Sequence, residues 1–213
     1  MVAISDINVS FNWSHWISQY EDTVDDPPID YTEMSSGTKK AETDERFSSL
    51  ASEIQQRTPP RITRPELREI GKWKTGGRRI DHLLKENTPS AIETSTARAF
   101  GSGLNDSERV EILEELKGVS VPVASTILTA FDPARFAVID FRTLRAIARV
   151  EPQLTDITNY GDFAEYARWL LNYKKDRDVY NSYIEIVRDI SNRVNRSPRE
   201  VDMALWVFDL ANT

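Results

Sequence analysis

The chain has 213 residues, a formal net charge of −7 and no cysteine, so disulfides and thiolate metal sites are excluded. Its 39% apolar residues and five tryptophans are those of a globular protein with a real core, in one domain or two small lobes. No apolar run of about 18 residues occurs, and no basic segment leads into an apolar one at the N-terminus, so a soluble, cytoplasmic protein without membrane contact is expected. If the source is prokaryotic, it would associate with the nucleoid.

The negative sum argues against a nucleic-acid partner, but the charge is unevenly spread. Residues 21–45 hold Glu21, Asp22, Asp25, Asp26, Asp30, Glu33, Glu42, Asp44 and Glu45 against Lys39 and Lys40. Residues 61–79 hold Arg61, Arg64, Arg68, Lys72, Lys74, Arg78 and Arg79 against Glu66 and Glu69. An acidic body with a local basic face is compatible with DNA. The histidines, His15 and His82, make no zinc site without several carboxylates.

In chain order, Trp13, Trp16, Ile17 and Tyr20 share one helical face and predict a packing helix over 11–21. Residues 22–42 read as a polar loop. Thr43 is placed to cap a helix with Phe47, Leu50, Ala51 and Ile54 inward, ended by Thr58-Pro59-Pro60. Thr63-Arg64-Pro65-Glu66 is a capping-box pattern with proline early in the helix. That helix runs into Trp73, Lys74, Gly76, Gly77, Arg78 and Arg79, and the next buries Ile80, Leu83 and Leu84. Thr88-Pro89-Ser90 opens another helix, closed by Gly101-Ser102-Gly103.

The central stretch runs from Val110 to Val150. Val110, Ile112, Leu113 and Leu116 predict an amphipathic helix that Asn105 or Asp106 caps. Gly118 then permits a tight reversal, and Val123, Ile127, Leu128 and Phe131 predict a second helix, making an αα-hairpin. The turn offers backbone N–H groups at the positive end of that helix, which suits a phosphate. After Asp132-Pro133 an extended run through Phe136, Val138 and Ile139 meets Asp140 at an N-cap position. Phe141, Leu144, Ile147 and Ala148 then form a buried stripe. Further on, Phe163, Tyr166, Ala167, Leu170 and Leu171 predict one helix, and Val179, Tyr183, Ile186, Val187 and Ile190 another. Ser197-Pro198-Arg199-Glu200 opens a last helix carrying Val201, Leu205 and Phe208. The fold is expected to be all-α.

Leu116-Lys117-Gly118-Val119-Ser120, Ala124 and Val138-Ile139-Asp140 resemble the hairpin and the aspartate motif of the helix-hairpin-helix DNA glycosylase superfamily, the endonuclease III type. The 22 positions from Gly118 to Asp140 agree with that pattern. The resemblance implies a two-lobed helical bundle, with residues 58–150 as the hairpin lobe and 1–57 plus 151–213 as the second. It implies a monomer acting on double-stranded DNA. Lys117, Gly118, Val119 and Ser120 would grip the backbone, and Asp140 would stabilise positive charge on the sugar. Trp73 falls where the extruded base is faced, with Lys74, Arg78 and Arg79 on phosphates or base edges. The activity expected is release of a damaged or modified base in base excision repair.

Two departures shape that expectation. Members that also cleave the strand carry a lysine four positions after the first hairpin glycine, and Pro122 stands there, so base release without strand cleavage is expected. The second hairpin glycine is Ser120. No cofactor is expected: the iron–sulfur cluster of some members needs four cysteines, although a monovalent cation at the hairpin stays open. From position alone, Asp140 is as well read as a plain helix cap and Trp73 as core. A non-catalytic DNA-binding module of the same fold, or an acidic adaptor, are the rival readings.

Overall fold

A computed structural model describes residues 11–25, 49–75, 80–150 and 169–212, with backbone alone at 21–25. The chain is all-helical, with no strand among the described residues. In order come α1 (Trp13–Asp25), a helical segment at 49–55, α2 (Arg64–Thr75), α3 (Asp81–Leu84) and α4 (Pro89–Phe100). Then follow α5 (Asp106–Glu114), α6 (Val121–Phe131), α7 (Phe141–Val150), α8 (Arg177–Val194) and α9 (Pro198–Ala211). Among the described residues no helix is long and apolar enough to cross a membrane. The cap proposed at Thr43, Phe47 and the residues from Phe163 to Ala167 lie outside the described residues.

Local chemistry sets the helix starts. Asn105 caps α5 and Ser197 caps α9, each in a reciprocal box with the glutamate three positions on, Glu108 and Glu200. Thr88 caps α4 by accepting the Ala91 N–H at 3.2 Å. At α2 only half of the expected box forms. Glu66 accepts the Thr63 N–H at 2.6 Å, but the Thr63 hydroxyl donates to Glu66 at 2.9 Å instead of capping. The Arg57 guanidinium grips the buried Glu66 carboxylate at 2.7 and 2.8 Å.

The centre is α6, buried from Val121 to Ala130 on every side. Its three hydroxyls are satisfied inside the helix. Ser125 and Thr126 donate to the Pro122 carbonyl at 2.8 and 2.7 Å, and Thr129 to Ser125 at 2.8 Å. Around α6 pack α2, α5 and α8. Helix α9 packs on α7 and α8 and carries α1 on its outer side, where Trp16 and Tyr20 meet Trp206, Met203 and Val207. One continuous apolar core holds Leu113 and Ile127 together with Tyr183, Ile190 and Leu205, so residues of both expected segments contribute to it. Each fully buried Ile or Leu there contributes about 1.5–3 kcal/mol.

Two residues placed in buried stripes lie outside them. Phe141 is 43% exposed, because it is the first residue of α7, beyond the packed face that Leu144 and Ile147 continue. Leu171 is 82% exposed, because Trp169 and Tyr173, four apart, are the pair that turns inward.

Candidate active site

The hairpin turn joins α5 to α6 over residues 115–120. Gly118 has φ +81°, the left-handed region that favours glycine. A Cβ there would also come within 2.9 Å of the Leu83 Cβ and 3.2 Å of Leu84 Cδ2. Both conformation and space therefore require a glycine. The buried Asn87 fastens the turn from outside, accepting the Lys117 N–H and donating to the Lys117 carbonyl, each at 2.9 Å. Ser120 precedes α6 in an extended conformation, with no side-chain cap bond, so a second glycine is not needed there. Lys117 extends into solvent and pairs with Glu86 at 2.7 Å.

The extended run before α7 is held on its peptide groups by four separate elements. The Val138 N–H donates to Asp202 of α9 at 2.7 Å, and the Val138 carbonyl accepts the Tyr183 hydroxyl of α8 at 2.9 Å. The Ile139 N–H donates to Ser125 Oγ of α6 at 3.2 Å, and its carbonyl accepts Lys74 Nζ of α2 at 2.9 Å. These bonds fix where Asp140 begins.

Asp140 caps α7: Oδ1 accepts the Thr143 N–H at 3.0 Å, while Thr143 Oγ1 accepts the Asp140 N–H at 3.1 Å. Its other oxygen, Oδ2, faces Lys74 Nζ at 3.6 Å. The Asp140 side chain is 24% exposed and that of Lys74 11%. Asp140 is thus a helix cap whose side chain stays partly exposed, with its second oxygen turned to Lys74.

Lys74 is the least expected member. It lies not on an open basic face but inside, against Asp140 and Ile139. Burial holds its ammonium below the usual lysine value, opposed by the carboxylates of Asp140 and Asp202. Around it, burial pushes Asp202 up to about 6, against the pull of Arg199 and the Val138 N–H. Burial, with the Asp140 carboxylate behind it, also pushes the Tyr173 phenol up. Neither Asp202 nor Tyr173 stands out in the sequence; a buried acid on an otherwise apolar helix face was the available signal for Asp202.

Trp73 packs against the core, and the Arg199 guanidinium lies 5.2 Å from its ring centroid. One ring face is therefore covered. Two other cations of the basic stretch also find acidic partners within the chain: Arg61 meets Glu93 at 3.2 Å and Arg68 meets Asp81 at 2.7 Å. Arg78 and Arg79 lie outside the described residues. A further acid organises α7: Asp209, fully buried, accepts from Arg142 at 3.2 Å and from Arg145 at 2.6 Å. Among the described residues, no group of three or more His, Asp or Glu side chains is arranged to hold a metal ion.

Comparison of this chain with protein-family models, with curated proteins and with solved structures finds no match.

Proposed function

We propose that the chain is a DNA glycosylase that removes a damaged or modified base from duplex DNA. One observation carries this reading: Asp140 stands at the start of α7 with one oxygen tied to the Thr143 N–H and the other turned to Lys74 at a partly open surface. A carboxylate held in this way cannot swing aside, and so it meets developing positive charge without reorganising. Breaking an N-glycosidic bond places such charge on the sugar. An ionised Asp140 stabilises it and orients or deprotonates the attacking water. The left-handed turn at Gly118 and the start of α6 offer N–H groups to a DNA phosphate, with Lys117 beside them. The base itself must first leave the stack, at a cost of a few kcal/mol.

The test is mass-spectrometric detection of bases released from variously modified duplexes. Asp140→Asn keeps an oxygen for the Thr143 N–H and so keeps the cap. It is expected to lower base release by about 10²–10³ while leaving DNA binding in place. Full turnover by the Asn variant would end the assignment. Binding that falls with salt, with no base released from any duplex, would instead make the chain a non-catalytic DNA-binding module.

A further inference from the structure

We infer that the arginine face of α7 is a second DNA-binding surface, which takes backbone phosphates of one strand beside the point where Asp140 meets it. The inference rests on the DNA partner of the glycosylase reading and extends the contact surface beyond the hairpin. At roughly 100° per residue, Phe141, Arg142, Arg145 and Arg149 fall within about 100° of one another around the helix. They lie opposite the buried face of Leu144, Ile147 and Val150. The row starts directly after Asp140. From Arg142 to Arg149 it spans roughly 10 Å, the axial length of about three phosphates of one strand.

The row carries more charge than the fold requires. Arg145 alone satisfies the fully buried Asp209, placing Nε and Nη2 on its two oxygens at 2.5 and 2.6 Å. Arg142 adds one contact at 3.2 Å, and Arg149 stands 3.8 Å away. Among the described residues, three guanidiniums therefore converge on one carboxylate, in a chain whose net charge is −7. All three still reach solvent, Arg142 and Arg145 with 26% of the side chain exposed and Arg149 with 42%.

Two of them are also pre-oriented. The Arg145 guanidinium lies 5.2 Å from the ring centroid of the exposed Phe141, and that of Arg142 lies 5.9 Å from Trp206. A guanidinium held between a buried carboxylate and a ring loses little freedom when a phosphate arrives. Evenly set, pre-oriented cations match the regular charge spacing of a DNA backbone better than the irregular acids of a protein surface.

The test measures affinity of the full chain for a labelled duplex across a salt series, with base release followed separately. Arg149→Gln leaves Asp209 its bidentate partner, and thermal unfolding checks that it folds as the wild type does. Its slope of log affinity against log salt should be shallower by about 0.9, and that of Arg142→Gln/Arg149→Gln by about 1.8. Base release by the wild type with unchanged slopes in both variants would overturn the role of α7 and leave the glycosylase reading standing. Unchanged slopes with weakened binding to polyglutamate would overturn it in favour of an acidic protein partner. Shallower slopes with no base released from any duplex would keep the α7 surface and end the glycosylase reading. A wild type that binds no duplex even at low salt would remove both.

Discussion

The buried carboxylate of Asp202 accepts the Val138 N–H at 2.7 Å, so the C-terminal helix holds the backbone two residues ahead of Asp140. Arg199 binds the same carboxylate and reaches the Tyr20 hydroxyl at 3.0 Å, extending the contact to α1. The aspartate of the site is therefore placed by a residue 62 positions later in the chain.

Asp202 makes stability depend on pH. Burial raises it from about 3.8 to about 6, so the folded state keeps a proton that the unfolded chain gives up in that window. Stability should therefore fall as pH rises from about 4 to about 7, by at most about 3 kcal/mol. Asp202→Asn retains an acceptor for the Val138 N–H and removes that titration, so its curve should lack this fall over the same range. Urea unfolding of both proteins across these pH values measures it. A wild-type curve that rises through the window would refute the protonated Asp202.

Gly118→Ala tests the turn. The substitution forces a left-handed residue with a Cβ 2.9 Å from Leu83 Cβ. The combined conformational and steric cost is about 2–4 kcal/mol. Thermal and urea unfolding should both show it, and an unchanged midpoint would mean that the turn has another geometry in solution.

Lys117→Ala tests the hairpin as a DNA contact. The Lys117–Glu86 pair is exposed, with side chains 61% and 49% accessible, so exchanging the glutamate for a phosphate costs little. The variant should bind every duplex more weakly, with the slope of log affinity against log salt shallower by about 0.9. Glu86→Ala should act oppositely and tighten binding. An unchanged salt slope in Lys117→Ala would take the hairpin out of the interface.

Much of the helical layout was legible because its signals are local. The box at Ser197, the helix start at Asn105 or Asp106, the helix opening at Thr88 and the burial of Val179, Tyr183, Ile186, Val187 and Ile190 follow from residues three or four apart. The same logic failed where a helix end leaves its packed face, as at Phe141 and Leu171. At Thr63 it held only in part, since the hydroxyl meets the Glu66 carboxylate instead of capping the helix.

The site divides along the same line. The amino-acid order alone established an all-helical chain, a glycine-bearing turn between two helices, and an aspartate at the start of the next. Each is a short-range consequence of periodicity, backbone freedom or capping. Tertiary packing alone decided that Lys74 turns inward to Asp140, that Asp202 and Tyr183 anchor Val138, and that Asn87 clasps Lys117. A lysine in a basic run reads as a solvated cation until the fold supplies a carboxylate from 66 residues away. Such pairings depend on distance in space, which no local pattern of side chains encodes.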